Sequence, residues 1–251
     1  MRTLARFPLA LVVALIGAPA DAAPAAAPVV GEVVELAGRV SLHANGAVRG
    51  RPVTVAGAAV AVADQLRTKA DSKALLEFLD GSQAMVTADS ALSIKGLKRF
   101  APQGGRVLFE IKSQGGVAGV LIDTPTAVLG VKGTRFVVEP QDGGARVYLE
   151  EGELAVTAKR GEFRMGKPRG VSRPAVDPKV EAFKKRLDEE FTQALREFHM
   201  PAGTAISIRG QEVEAIGFSP GAVEAFDEFE QWLLDDSDLD DFPELDDPDL
   251  K

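Results

Sequence analysis

The sequence predicts a mainly β fold, an antiparallel, meandering β sandwich or β-roll followed by one long amphipathic helix and a shorter second helix. Three observations predict it. Short apolar runs recur roughly every ten residues between Lys73 and Ala158, the spacing of sandwiches, barrels and rolls. The stretch Ile122 to Val138, IDTPTAVLGVKGTRFVV, is two β-branched runs broken by Gly130 and Gly133, with Pro125 where the backbone needs no donor. Beyond Asp177 the apolar period changes from two to three or four.

At the start, Arg2 and Arg6, an apolar run from Leu9 to Ile16 and the triplet Ala20, Asp21, Ala22 follow in the order of a secretory signal with an Ala-x-Ala cleavage site. Residues 1–22 are therefore expected to be cut off near Ala22, leaving a periplasmic or secreted chain. The apolar run falls short of the ~20 residues of a spanning helix. No cysteine follows the cleavage site to accept a lipid, so no stable membrane anchor is expected after cleavage. With no cysteine at all, the fold must rest on its core.

An Ala/Pro linker, 23–30, leads into a β domain, 31–174. Val33, Leu36, Val40 and Leu42 alternate with Glu32, Glu35, Arg39 and Ser41 around Gly38, which is strand chemistry. Lys73 to Leu79 and Ser82 to Val86 flank Asp80-Gly81, a pair that supplies the positive φ of a two-residue hairpin. Further strands are expected at Ala91 to Lys95, Gly105 to Ile111, Gly119 to Asp123, Gly133 to Glu139, Ala145 to Glu150 and Glu153 to Ala158.

Residues 175–234 are expected to form a helical cover with a small hairpin. Asp177 can cap and Pro178 suits a first helical turn. Val180, Phe183, Leu187, Phe191, Leu195 and Phe198 then recur at steps of three and four, predicting a helix that ends at His199 and lays one apolar stripe on the β domain. Ala205 to Arg209 and Gln211 to Ile216 suit a hairpin around Gly210. Ser219-Pro220 opens a shorter helix, Ala222 to Leu234, with Val223, Phe226, Phe229 and Leu233 on one side. Residues 235–251 have no periodicity and read as a disordered acidic tail.

The net charge of −8 is unevenly spread. Glu224 to Lys251 holds thirteen acidic residues and one lysine, a net of −12, whereas residues 23–223 hold 23 acidic and 26 basic, a net of +3. A balanced body without a basic stripe excludes nucleic acid as the expected partner.

An ordered series of residues resembles the FecR-like domain of bacterial envelope proteins: Asp64, Leu66 and Thr68; Ser72, Ala74, Leu76 and Phe78; Asp80, Gly81 and Ser82; Leu92 and Ile94; Gly105, Val107 and Phe109; Thr124, Pro125, Ala127 and Val128; Gly133, Thr134, Phe136 and Val138; then Val147, Leu149, Gly152, Leu154 and Val156. The series runs from about Gly31 to Ala158, roughly half the chain. Ala63 departs from the pattern, which has Gly before the Asp, and is expected to alter one turn. The resemblance implies a non-enzymatic, all-β periplasmic module. Founding members of the family relay a signal from an outer-membrane iron transporter to a sigma factor, through a cytoplasmic segment and a spanning helix. A cleavable signal stands in that place here, so the resemblance carries over only the periplasmic sensing or docking half.

Candidate site residues are few. Lys132, Gly133, Thr134 and Arg135 put two cations and backbone donors at one turn, a possible recognition turn for an anion, against a structural reading in which Gly133 turns the chain. Asp240, Asp241, Phe242 and Leu245 mix acid with apolar groups and suggest a docking tail. His43 and His199 lack a second ligand at metal spacing, and no cofactor or metal is expected. The expected function is recognition of an unknown envelope protein or glycan. The alternative is a polysaccharide hydrolase using two of Asp80, Glu110, Glu150, Glu151 and Glu153.

Overall fold

The computed structural model describes residues 26–113, 119–165 and 195–237, with positions 178, 182 and 183. The expected signal peptide, most of the expected long helix and the tail residues Asp240, Asp241, Phe242 and Leu245 lie outside the described residues. With strands numbered in chain order, a ten-stranded sheet runs β16 (Arg164–Met165), β19 (Glu212–Ile216), β18 (Thr204–Arg209), β14 (Gly144–Glu151), β13 (Thr134–Gln141), β10 (Val107–Ile111), β7 (Gln83–Val86), β6 (Lys73–Phe78), β1 (Val29–Ala37), β4 (Ala58–Ala61). A nine-stranded sheet runs β17 (Glu197–Pro201), β15 (Glu153–Ala158), β12 (Ala127–Val131), β11 (Val120–Asp123), β9 (Arg99–Gly104), β8 (Ala91–Gly96), β5 (Gln65–Thr68), β2 (Val40–His43), β3 (Arg51–Val53). Pairing is antiparallel except for β9 with β11 and β16 with β19.

The sheets face each other across one core, so the fold is a sandwich. Alternate residues supply it: Phe109, Phe136 and Leu149 from the ten-stranded sheet meet Leu92, Phe100 and Leu129 from the other. Phe78, Phe100, Phe109 and Phe136 stack in sequence through the centre, with ring centroids 4.4, 6.4 and 5.3 Å apart.

The chain changes sheets at most of its corners. Every crossing whose residues are all described, from Gly38 to Gly203, contains a residue at positive φ. Three of these residues are not glycine: Ala63 (φ 71), Asp71 (φ 52) and Asp89 (φ 49). At Gly105 (φ 62) a Cβ would lie 2.0 Å from Ser90 Oγ, so that corner accepts no side chain.

The ten-stranded sheet is buried on both faces, which explains apolar runs such as Ala74-Leu75-Leu76 and Phe136-Val137-Val138. Its outer face, carrying Leu75, Met85, Leu108, Val137 and Tyr148, packs under α1 (Pro220–Ser237) through Ala222, Ala225, Phe226, Phe229 and Trp232. Val223, expected on the buried side of this helix, is exposed.

The expected end of the long helix at Phe198 and His199 is corrected. Positions 178, 182 and 183 are helical, but the helix does not extend to Phe198 and His199, which lie in β17. Period two decides there: Phe198 and Met200 point inward beside β15, while Glu197 and His199 point outward. The eighteen-residue helix is α1, and it covers the outer face. Phe183, at 4% exposure, is buried in the core between the sheets together with Phe163 and Phe198. The expected hairpin is present as β18 and β19, joined to β14 as part of the larger sheet.

Candidate functional site

The turn Lys132 to Arg135 is a sheet-crossing corner between β12 and β13. Gly133 sits at φ 66, and a Cβ there would lie 2.9 Å from Ser113 Cβ. Thr134 is buried, with its methyl group facing the space a Gly152 side chain would need. Arg135 points away from the turn, beneath α1. Its guanidinium lies 3.3 Å from Glu110, 3.6 Å from Glu150 and 3.2 Å from Glu230 of α1, and 5.9 Å from the Phe229 ring. Burial works against its charge, but Glu110, Glu151, Glu150 and Glu230 outweigh that and raise its pKa. Burial, aided by Glu230 and Glu151, pushes the Glu150 carboxyl up despite Arg135. The four residues of the turn therefore do not converge on one anion; Arg135 fastens the helix to the sheet.

The other candidate carboxylates are separate. Asp80 Oδ1 accepts from the Ser82 amide at the β6–β7 hairpin tip, and Glu153 pairs with His199 at 3.1 Å on the opposite sheet. His43 is enclosed: Nδ1 donates to the Ala47 carbonyl at 3.0 Å, which leaves Nε2 to accept from Ser41 Oγ at 3.2 Å. Among the described residues no group of three or more His, Asp or Glu side chains is arranged to hold a metal ion.

Among the described residues, no helix covers the outer face of the nine-stranded sheet. One file crosses it in register: His199, Ala155, Gly130, Leu121, Arg99. Beside it runs Glu197, Thr157, Val128, Asp123. The middle of the first file is small or apolar, with Leu121 37% exposed, and its ends, His199 and Arg99, are polar. The floor therefore carries few large side chains, steps about 4.8 Å per strand, and is bounded by polar groups.

Asp123 anchors one end. It takes a two-point contact from Arg99, at 2.6 and 2.9 Å, and lies 3.4 Å from Lys159 Nζ, which also donates to the Thr124 carbonyl. Burial opposes its ionisation most strongly, yet the hydrogen bond from Arg99 and the charges of Lys159 and Arg99 prevail and lower its pKa. Beyond Asp123 and Lys159 a groove of about 860 Å³ opens between Lys95 and Asp142. Sequence reasoning missed this triad, because the parallel pairing of β9 with β11 brings Arg99 to Asp123 and leaves no periodic trace.

With this geometry in place, the family comparison bears on the middle of the sandwich: residues 64–155 match the model of the FecR protein family. The sandwich carries a FecR-like domain. The match runs from the corner before β5 into β15 and includes Arg99 and Asp123 of the triad, with Lys159 just beyond it, and the file from Ala155 through Gly130 to Leu121. Two crystal structures of a candidate anti-sigma factor from Parabacteroides distasonis ATCC 8503 are also similar, each at 12% identity, with TM-scores of 0.43 and 0.42. Each alignment covers 64% of this chain and 63% of that protein, so the likeness spans less than two thirds of either. No curated protein matches the chain.

Proposed function

We propose that this chain is an exported, non-enzymatic recognition module of the cell envelope and that it binds a protein or glycan on the open face of the nine-stranded sheet. The asymmetry of the sandwich carries the reading. Helix α1 seals one outer face, while the other presents the file from Ala155 through Gly130 to Leu121 between His199 and Arg99. The FecR domain match supports a signalling or regulatory role. Four of the five carboxylates considered for hydrolysis have structural partners instead: Glu110 and Glu150 neutralise Arg135 under α1, Asp80 holds a hairpin and Glu153 pairs with His199. The basic, apolar and small-residue order of residues 1–22 supports export.

The test is a photo-crosslinking residue placed at Leu121 or Val128 in intact cells, with Val48, a fully exposed loop residue, as control. A discrete adduct at 121 and 128, lost on Ala155→Arg and absent at 48, is the expected result. No adduct at either face position, or equal labelling at 48, overturns the reading.

A further inference from the structure

A second surface lies at the far edge of the sandwich, beside β16 and β15. Two grooves of about 490 and 440 Å³ meet there at Gln211. Gln211 fixes both walls, since its side chain donates to the Arg160 carbonyl and its own carbonyl accepts from the Arg164 amide. Arg160 lines the first groove, and Arg164 and Arg196 line the second, with Glu162 as the one carboxylate. Arg160, Arg164 and Arg196 make no ion pair with any described residue. Three unneutralised guanidiniums around a groove form a surface for carboxylates. Pro125 and Gly210 give the first groove an apolar wall.

The same chain supplies a matching ligand. Residues 238–245, DLDDFPEL, hold four carboxylates, no cation and the apolar Phe242 and Leu245. Helix α1, which precedes this run, leads away from the chain's own grooves. Phe218 packs on Tyr148 of β14, and Trp232 lies under Lys73 of β6, 4.5 Å from its Nζ. Four strand spacings of about 4.8 Å separate β14 from β6, ~19 Å, which the helical residues from Pro220 to Trp232, at about 1.5 Å each, span. From β6 back to β16 is seven spacings, ~34 Å, whereas the eight residues after Ser237 reach at most ~28 Å. We infer that the arginine grooves receive the acidic run 238–245 of a second copy of this chain. Donor and acceptor lie on opposite edges, so the contact is head-to-tail, and it weakens as salt screens it.

Sedimentation velocity tests this with the mature chain, a version ending at Ser237, and Arg160→Glu/Arg164→Glu/Arg196→Glu. The mature chain is expected to associate with rising concentration at low salt and to dissociate at high salt. Both altered versions should stay monomeric alone, with unchanged thermal midpoints. Mixed together they should form a one-to-one complex, because each retains the half that the other lacks. A labelled peptide of residues 235–251 should bind the shortened chain about tenfold more tightly than the same shortened chain carrying the three glutamates, given roughly 0.5 kcal/mol per exposed pair. A monomeric mature chain that leaves the peptide unbound overturns the proposal, as does peptide binding indifferent to the three arginines. Peptide binding to the shortened chain but not to a monomeric mature chain would put the tail in its own groove and overturn the second-copy assignment.

Discussion

Ser90 Oγ accepts the Arg106 amide at 2.8 Å, tying the corner before β8 to the corner before β10. It also reaches the carbonyls of Ala88 at 2.9 Å and Arg106 at 3.1 Å. Ser72 repeats the arrangement, accepting from Arg39 at 2.9 Å and donating to Ala70 at 2.9 Å. Both serines end an Ala-Asp-Ser tripeptide whose Asp is at positive φ, and both face a Gly-Arg corner. The sandwich thus uses one latch twice. Ser90→Ala leaves the Arg106 amide unpartnered and should cost ~1–3 kcal/mol in urea denaturation, with Ser72→Ala close behind. Unchanged midpoints in both would show that the latches add nothing to stability.

Ala63 occupies a backbone conformation that suits glycine, at φ 71, in the crossing from β4 to β5. Its amide donates to the Ile94 carbonyl at 2.8 Å, which holds it there. Ala63→Gly should therefore raise stability by ~0.5–1 kcal/mol, relief of strain exceeding the added freedom of the unfolded chain. A lowered melting temperature would contradict the strain.

Asp123 and Glu150 should respond to pH in opposite senses. The folded-state pKa of Asp123 lies below its ordinary value, so the unfolded state binds more protons in that window. Its contribution is present above the ordinary aspartate range and lost as pH falls through the folded value. Asp123→Asn should then be destabilising at neutral pH, with the difference closing in acid. The Glu150 value is raised, so the native state binds more protons just above the ordinary glutamate range, and stability falls as pH rises through it. Glu150→Gln should be neutral or stabilising at pH 7 and lose that advantage in acid. Urea midpoints of the two variants across pH check both signs.

Phe183 is buried in the same core as Phe163 and Phe198, whose rings meet edge to face at 5.4 Å. Phe183→Asp places a charge in the inter-sheet core and should cost ~3 kcal/mol or more. A thermal scan showing no change would mean that this ring is dispensable to the core.

The strands from Lys73 to Ala158 were legible because each has a period-two or continuous apolar run ended by a turn residue, as with Lys73–Phe78 before Asp80-Gly81. The stretch 195–201 was not. Leu195 and Phe198 fit a helical stripe and Phe198 and Met200 fit a strand, and pairing with β15 chose between them. Arg135 looked free beside Gly133, but strand alternation turns it to the outer face, where a helix about ninety residues later supplies Glu230. The Ala-Asp-Ser latches were visible as a repeated tripeptide, yet their meaning depends on corners 33 and 16 residues away.

The interleaving of the two sheets has a consequence for how the molecule can be cut. Excising 64–155 would strip β1 from β6, β2 from β5 and β18 from β14, baring backbone on both layers at once. Neither layer is a stretch of chain that could assemble first and wait for the other. Denaturation should accordingly be all-or-none, and a protease nick in any crossing should release no stable half.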